Sequence, residues 1–351
     1  MLDIRLLREE PDAVRAGLAN RKADASVVDK ILALDTERRD LVARGDALKA
    51  RRNELSKEIP KLAREGGDIN ALKEESRAIG DEVKAIDERL KVVEEEQRAA
   101  LLMLPNVPHA STPVGKSEDD NVVVRVAGEK PAMDFAPKSH WELGAALGIL
   151  DLERGTKISG SGFYVLKGAG ARLERALVAW LLDTATQKNG YTEIAVPFVV
   201  SRETMTGTGQ LPKFEEDLYR TDDDLFLIPT AEVPVTNLHA GEILDEAQLP
   251  VMQCAHTPCF RREAGGYGKE NRGISRVHQF MKVELVHLTR PEDSDAAHQR
   301  LVGHAAGLLD ALGLHYRVVE LCTADIGFSA SRCFDLEVWA PGMDRFLEVS
   351  S

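Results

Sequence analysis

Hydrophobic residues in the first third of the chain recur at the spacing of a coiled coil. One seam is a series of leucines seven residues apart, at Leu34, Leu41, Leu48, Leu55 and Leu62. A second seam, after the Gly-Gly pair at 66–67, steps by three and four residues through Leu72, Ile79, Val83, Ile86, Leu90, Val93, Ala100 and Leu104. Apolar residues at this spacing are typical of helices that pack along one stripe. The pattern predicts two long helices that fold back on each other as an antiparallel hairpin, over about residues 27–104.

The composition of this segment agrees with a hairpin that has no globular core. No Phe, Tyr or Trp occurs before Phe135, and a helical pair without large side chains buries too little surface to form a compact body. We therefore expect the hairpin to project into solvent. A proline inside a helix removes a hydrogen bond and clashes with the preceding turn, so Pro60 is expected to end or kink the first helix near the tip.

Charge is distributed unevenly along the first helix of the hairpin. Residues 49–64 contain two acidic side chains and six basic ones, and these six define a basic strip: Lys49, Arg51, Arg52, Lys57, Lys61 and Arg64. One interpretation is a solvated coiled-coil face without a ligand. The other is a surface that binds a phosphate backbone through few base-specific contacts. The residues themselves leave both interpretations open.

A change of composition after Leu104 marks a domain boundary, because three prolines and several small polar residues follow within about ten positions. We divide the chain into an N-terminal domain of residues 1–104, a linker with a first strand at 105–134, and a second domain at 135–351. The second domain contains many strand-like stretches in succession, which predicts a largely antiparallel α+β sheet. The helices predicted in it lie near residues 139–149, 169–189 and 291–313.

The overall charge narrows the classes of partner. The chain has 58 acidic and 45 basic residues and a net charge of −13, so we expect no non-specific coating of nucleic acid and no DNA partner, while a local basic face stays compatible with RNA. The N-terminus is too charged for a secretion signal, and no apolar run is long enough to span a bilayer. A cytoplasmic location without a membrane partner is therefore expected.

The cysteines carry little functional information. Four of them occur in the chain, too few and too scattered for a disulfide framework, and we interpret them as reduced thiols. Cys254, His256 and Cys259 lie close together in sequence, but no second Cys-x-x-Cys pair supports a zinc site. A zinc site there is the weaker interpretation.

The segment from Cys259 to Glu284 carries the most informative chemistry. It is predicted to form a strand, a long glycine-rich loop and a returning strand. Arg276, His278, Phe280 and Glu284 are separated by even steps, so we expect their side chains to share one face. A guanidinium group, an aromatic ring and a carboxylate on one face suit a nucleotide. The alternative is a charged hairpin with ordinary surface ion pairs.

The same segment resembles a known family. Residues Phe260–Glu263 and Arg276–Phe280 resemble motif 2 of the class II aminoacyl-tRNA synthetases, in the form found in seryl-tRNA synthetases. Tyr191–Pro197 and the helix before it resemble motif 1, Ile228–Glu232 resembles the serine-binding TxE loop, and Leu347–Ser351 resembles a later ATP-contacting strand. The opening of the chain and the helical hairpin are also similar to that family, in which the hairpin is the tRNA-binding arm.

The resemblance implies a tRNA-binding domain followed by a class II catalytic domain, an antiparallel sheet flanked by helices. It implies an AMP-forming ligase of protein biosynthesis that activates L-serine with ATP and transfers it to serine tRNA, and selenocysteine tRNA is a further candidate substrate. It also implies a homodimer formed through the motif 1 helix. The basic strip would then contact tRNA.

The resemblance further implies roles for individual residues. Arg261 and Arg276 would act on the α- and γ-phosphates as the catalytic arginines, and Phe280 would stack on adenine. The residues implied in ATP binding are Arg261, Arg262, Glu263, Arg276, Phe280, Glu348, Val349, Ser350 and Ser351. Those implied in binding L-serine are Thr230, Ala231, Glu232 and Glu284. Mg²⁺ would be held on the phosphates by Glu348 and Ser351.

The chain departs from the family's pattern at its C-terminus. It stops at Ser351, within a predicted strand, and we find no counterpart of motif 3 in it. The sequence therefore predicts a synthetase truncated before motif 3. The alternative to an active ligase is a non-catalytic remnant that binds tRNA or dimerises.

Overall fold

The structure is a computed structural model that describes residues 2–263 and 272–351. The chain divides into two units, Met1–Pro108 and His109–Ser351. Within the described residues, no helix is both long enough and apolar enough to cross a membrane.

The first unit consists of helices. They are α1 (Ile4–Glu9), α2 (Pro11–Asn20), α3 (Val27–Arg64) and α4 (Asn70–Leu102). At 1.5 Å per residue, α3 is about 57 Å long. Pro60 lies inside α3 and does not end it, because the helix continues to Arg64.

Helices α3 and α4 form the predicted hairpin and pack along the leucine seam. In its outer half, toward the turn between the helices, buried Leu55 packs with Ile79 and Val83 of the second helix. Gly45, a weak position in the heptad pattern, is buried against Ile86, whose Cγ2 atom would lie 3.5 Å from an added Cβ. Small and large residues thus complement each other across the seam, which keeps the helices close where a leucine is missing.

The base of the hairpin contains a core that the heptad pattern did not predict. Its buried residues come from all four helices and from the segments that flank α1 and α4, and they are Leu2, Leu7, Val14, Leu18, Val28, Ile31, Leu101 and Leu104. Beside this core, Arg8 donates two hydrogen bonds, of 2.6 and 2.7 Å, to the buried carboxylate of Asp35. Gln97 donates a third, of 3.3 Å, so that α1 and α4 both hold α3 at this level.

The second unit combines short strands with helices. Its helices are α5 (His140–Ala146), α6 (Leu152–Ser159), α7 (Ala169–Asp183), α8 (Arg202–Gly207), α9 (Glu232–Asn237) and α10 (Ser294–Ala311). Its strands are β1 (Val122–Ala127), β2 (Leu150–Asp151), β3 (Val165–Leu166), β4 (Thr192–Glu193), β5 (Val199–Ser201), β6 (Leu225–Leu227), β7 (Val251–Phe260), β8 (Gln279–Leu288), β9 (Tyr316–Glu320), β10 (Phe334–Ala340) and β11 (Arg345–Ser350).

The strands form sheets that are antiparallel apart from one pair. The largest sheet has the order β1-β9-β10-β11, a second has the order β4-β7-β8, and β2-β3 and β5-β6 are two-stranded. The exception is β4, which pairs with β7 in parallel. The ten-residue hairpin of β7 and β8, with Val251 opposite Leu288 and Phe260 opposite Gln279, is the longest ladder. It carries the segment that the sequence analysis singled out.

Two details of the predicted elements are wrong. The returning strand was expected from Arg276, but β8 begins at Gln279, so Arg276 and His278 lie before it. Short helices α6, α8 and α9 were not predicted. The α8 helix begins after Ser201, whose side chain caps it by accepting a hydrogen bond from the Thr204 N–H.

A polar cluster around Tyr191 links β8 and α10 inside this unit. The Tyr191 hydroxyl lies 2.7 Å from His287 Nε2 and 2.9 Å from His304 Nδ1. Burial, together with His304 and Arg300, lowers the pKa of His287 to about 4. Burial also lowers the pKa of His304 and raises that of Tyr191. The cluster is therefore neutral at pH 7.

We expect this cluster to make the fold sensitive to acid. The pKa of His287 is about 4 in the folded chain against an ordinary 6.5, so the unfolded chain binds more protons between these values and stability falls as pH falls from 6.5 to 4. Because His287 is partly exposed, we reduce the expected loss of stability at pH 5 to about 1 kcal/mol. The substitution His287→Phe should remove this loss. Thermal melts at pH 7.5 and pH 5 measure it, with exposed His109→Phe as control. Equal acid sensitivity of wild type and His287→Phe would contradict the expectation.

Candidate active site

A large cleft in the second unit brings the predicted site residues together. Its volume is about 1270 Å³. One wall comes from the loop after β6, with Thr230 and Glu232, and another from the ends of the β7–β8 hairpin, with Arg261 and Arg276. The four-stranded sheet supplies a third wall that includes Glu348.

Thr230 connects the cleft to a network of polar side chains on β8, centred on its buried hydroxyl. This hydroxyl donates to Glu284 Oε2 at 2.6 Å and accepts a hydrogen bond from Lys282 Nζ, also at 2.6 Å. Lys282 Nζ also lies 2.5 Å from Glu284 Oε2. Lys282 and Glu284 share a face of β8 because they are two residues apart. The Glu232 backbone N–H donates to Thr230 Oγ1 at 3.2 Å, which places the three predicted serine-binding side chains together.

Two cations counteract the burial of acidic groups in this network. Burial raises the pKa of Glu232, and nearby Glu284 raises it further, whereas Lys282 and Arg261 oppose the shift. Ala231, the remaining residue predicted to bind serine, packs into the core beside Val235. Lys282 was not among the site residues predicted from the sequence. The even spacing of Phe280, Lys282 and Glu284 could have revealed it, since all three lie on one strand face.

Arg261 and Arg276 both line the cleft. The Arg261 guanidinium lies over the Phe280 ring, 5.1 Å from its centroid, and its Nε donates to the Pro229 carbonyl at 3.4 Å. Arg276 Nε donates to Glu263 Oε2 at 2.5 Å. Glu263 adopts a left-handed conformation, with φ of 48°, directly before residues 264–271, which lie outside the described chain together with the glycine-rich part of the predicted motif.

The other residues predicted to bind ATP have different positions. Phe280 lines a smaller neighbouring pocket of about 280 Å³, with Phe163 and Tyr164. Arg262 is exposed, and its backbone N–H donates to the Asp217 carbonyl at 2.9 Å. The Val349 side chain is 55% exposed, and Ser350 pairs with Leu336 of β10.

The wall formed by β10 and β11 is acidic. Glu337 and Glu348 face each other across these strands, and Ser351 also lines the cleft. Burial raises the pKa of Asp335 to about 6, with Glu348 and Glu337 adding to the effect. Arg317, which sequence reasoning missed, forms an ion pair with Glu337 and stacks on Phe346 at 4.6 Å. It gives the cleft a third arginine.

The weaker zinc candidate has its residues on both faces of β7. Cys254 is buried with Tyr191 and Ala185, whereas the Cys259 sulfur lies 3.6 Å from Thr257 Oγ1. Cys254 and Cys259 are five residues apart, so their side chains point to opposite faces of the strand. Across residues 2–263 and 272–351, no three His, Cys, Asp or Glu side chains are grouped as a metal site.

The basic strip on α3 divides into paired and unpaired residues. Lys49 Nζ lies 3.0 Å from Asp87, and Arg51 Nε donates to Glu75 at 2.9 Å. Lys57, Lys61 and Arg64 are exposed and, within the described chain, have no acidic partner within 4 Å. At 100° per residue these three lie within about 60° of one another. Arg52 is exposed on another side of the helix.

Comparison with known proteins identifies the family. The model of the seryl-tRNA synthetase N-terminal domain matches residues 1–108, and that of the tRNA synthetase class II core domain (G, H, P, S and T) matches residues 213–351. The serine–tRNA ligase of Akkermansia muciniphila is 53% identical over 353 residues, covering 100% of this chain and 83% of that protein. The chain belongs to the seryl-tRNA synthetase family. The corresponding ligase of Thermotoga neapolitana is 54% identical over 354 residues, with the same coverage.

A solved seryl-tRNA synthetase structure agrees with this assignment. The enzyme from Pyrococcus horikoshii, complexed with ATP, matches with a TM-score of 0.93 and 38% identity, over 99% of this chain and 83% of that one. The predicted fold class, a helical hairpin followed by an antiparallel-sheet class II domain, is confirmed. The comparisons support a serine–tRNA ligase rather than a non-catalytic remnant.

Proposed function

We propose that this seryl-tRNA synthetase activates L-serine with ATP and transfers the seryl group to tRNA through the cleft described above. The observation that carries the proposal is that the cleft combines two kinds of chemical group. Its lining includes the Thr230 hydroxyl and the Glu232 carboxylate, with Glu284 hydrogen-bonded to Thr230, and it also includes the guanidinium groups of Arg261 and Arg276. The hydroxyl and carboxylates suit the ammonium and hydroxyl groups of serine, and the arginines suit the phosphates of ATP.

Thr230, Glu232 and Glu284 would bind serine. Their carboxylates would attract its ammonium group, and the hydrogen-bonding groups would accept or donate to its hydroxyl. A site built to bond a hydroxyl rejects an analogue that lacks it far better than an apolar pocket can, because its own polar groups stay unpaired. This arrangement explains how serine is selected over alanine.

Arg261 and Arg276 would orient ATP and neutralise its charge. The serine carboxylate attacks the α-phosphorus, the bond from this phosphorus to the bridging oxygen breaks, and pyrophosphate leaves. A hydroxyl of the tRNA 3′-terminal ribose then attacks the seryl carbonyl carbon, and AMP leaves. Placement and charge stabilisation suffice for both steps, so no protein nucleophile is required.

Magnesium ions fit the acidic wall of the cleft. Glu348 and Ser351 offer oxygen ligands there, and Mg²⁺ is commonly bound through one or two carboxylates together with substrate phosphates. When bound, the ion would neutralise charge on the phosphates. Glu348 and Ser351 would hold it at the β11 wall of the cleft.

Four further proposals concern partners and location. The α7 helix would form a homodimer interface, since its Leu173 side chain is 58% exposed, and light scattering of the purified chain tests this. Lys57, Lys61 and Arg64 would contact the backbone of serine tRNA. Charging assays with selenocysteine tRNA test the wider substrate range. We place the enzyme in the cytoplasm, because its relatives are serine–tRNA ligases and tRNA is charged there.

Serine-dependent ATP–pyrophosphate exchange tests the proposed function directly. We expect exchange with serine and background rates with alanine and threonine. The assay is run on the 351-residue chain and on the full protein encoded by the reading frame that contains it. Absence of exchange from both would overturn the proposal.

We expect Lys282→Met to impair serine binding selectively. Lys282 contacts Thr230 and Glu284 and opposes the raised pKa of Glu232. Without it the KM for serine should rise about tenfold or more, as for loss of a charged hydrogen bond, with a smaller change in the KM for ATP. The acid limb of the pH profile should move to higher pH, because the pKa of Glu232 rises further. Steady-state exchange kinetics measure both effects.

Lys167→Met is the matched control, because Lys167 forms a comparable ion pair, 2.8 Å from Asp151, outside the cleft. Lys282→Arg keeps the positive charge and should restore most of the pH profile. An unchanged KM and pH profile in Lys282→Met would refute the role.

A further inference from the structure

Two phenylalanine rings line one corner of the cleft. The proposed adenylation chemistry does not use this corner. Phe214 lies in the loop after α8, and Phe328 lies in the loop between β9 and β10. Both rings are half-buried. Their centroids are 5.9 Å apart and their planes meet at 85°. In such a perpendicular pair an edge meets a face, so ring faces remain for a further planar group.

A lysine lies beside the two rings. We call Phe214, Phe328 and Lys213 together the aromatic corner. Lys213 Nζ lies 4.4 Å from the Phe328 centroid and 5.4 Å from that of Phe214. Lys213 is exposed and, among the described residues, has no acidic partner within 4 Å. A cation beside accessible rings is the combination with which proteins bind unpaired nucleotides, since bases stack on the rings and phosphates meet the charge.

The two loops of the aromatic corner are tied together. Ser329 Oγ donates a hydrogen bond to the Thr208 carbonyl at 3.0 Å. Gly209 has φ of 79°, and an added Cβ would lie 2.3 Å from Ser329 Oγ, so a glycine is required for this approach. The rings are therefore held in place before any ligand arrives, which lowers the ordering cost of binding.

The chemistry of the reaction identifies the ligand class. In the second step a ribose hydroxyl must reach the seryl carbonyl inside the cleft, so the last unpaired nucleotides of tRNA have to enter the same space. Thr230, Glu232 and the two arginines occupy the other walls. We propose that the aromatic corner of Phe214, Phe328 and Lys213 binds the unpaired 3′ end of tRNA by base stacking and phosphate contact. The inference rests on the proposed function.

Variants of the aromatic corner separate tRNA binding from adenylation. Phe328→Leu keeps apolar volume and removes the ring, whereas Phe328→Tyr keeps a stacking plane. We expect Phe328→Leu to lower kcat/KM for tRNA in charging about 5- to 100-fold, in line with loss of one stacked base, and to leave pyrophosphate exchange without tRNA within twofold. Phe328→Tyr should charge tRNA nearly normally.

Lysine variants provide a matched comparison. Lys213→Met should lower kcat/KM for tRNA several-fold. Lys130→Met removes a similar contact elsewhere, because Lys130 Nζ lies 3.6 Å over the Trp339 ring and outside the cleft lining. Lys130→Met should leave kcat/KM for tRNA unchanged. A serine tRNA transcript without its unpaired 3′ nucleotides should bind wild type and Phe328→Leu equally.

The outcomes distinguish this inference from the proposed function. Absence of pyrophosphate exchange from wild type would refute the proposed function, whatever the variants do. Normal exchange with normal charging in Phe328→Leu would overturn the inference alone. Equal loss of exchange and charging in Phe328→Leu would also overturn it, since the rings would then serve only to hold the loops together.

Discussion

We expect the substitution Arg261→Ala to reduce serine-dependent pyrophosphate exchange about 10³-fold, the scale typical of removing one preorganised donor from a charge-stabilising site. Arg261 lines the cleft and stacks over Phe280, so its guanidinium is held beside the ring that would contact adenine. Its planar fork matches phosphate oxygens through two parallel hydrogen bonds. The loss should appear mainly in kcat, because the charge it stabilises develops in the transition state.

Arg125→Ala is a suitable control for this experiment. Arg125 lies on β1, stacks on Tyr316 at 5.6 Å and pairs with Asp310, so it has the same kind of contact outside the cleft lining. Its removal should leave exchange unchanged. Arg261→Lys keeps the positive charge but lacks the planar guanidinium group. Its exchange rate should lie between those of wild type and Arg261→Ala. Exchange by Arg261→Ala within a few-fold of wild type would contradict the assigned role.

The parts of the structure that the sequence predicted best are those with a strict period. The heptad seam predicted both long helices, because Leu34 and Leu55 could be buried in no other common arrangement. The succession of strand-like stretches in the second half predicted an antiparallel sheet, and Phe280 and Glu284 lie on one face of β8 as their even spacing requires. Such patterns follow from local geometry, so they survive in any tertiary context.

The parts that were missed depend on contacts between distant segments. Arg317 belongs to the cleft because β9 pairs with β10 beside Glu337, a fact that no local pattern contains. The pairing of Lys49 with Asp87 and of Arg51 with Glu75 requires the register of the two hairpin helices. Lys282 was overlooked because a lysine on a strand is usually a surface residue, whereas here two oxygen groups surround its ammonium.

We expect that shortening the hairpin will abolish tRNA charging and spare adenylate formation. The two units have separate cores, and the cleft lies within His109–Ser351. Deleting residues 43–87 and joining the ends by two glycines keeps the Asp35 network and the core at the base of the hairpin. Exchange should stay within a few-fold of wild type, whereas kcat/KM for tRNA should fall by about 10² or more, as expected when several phosphate interactions are removed together. A shortened protein that still charges tRNA would show that the hairpin is not needed for this step.

A variant that lacks three positive charges then tests which face of the hairpin binds tRNA. Changing Lys57, Lys61 and Arg64 together to glutamine removes three exposed charges from one face, and the removal of each phosphate interaction should lower both the affinity for tRNA and the dependence of binding on salt. The matched control changes Lys73, Arg77 and Lys84, three exposed bases that share a face of α4. If both triple variants bind tRNA equally weakly, the total charge of the hairpin determines binding, and the face formed by Lys57, Lys61 and Arg64 has no special role. Weaker binding confined to the first variant, with a shallower salt dependence, places the phosphate backbone of tRNA against this face.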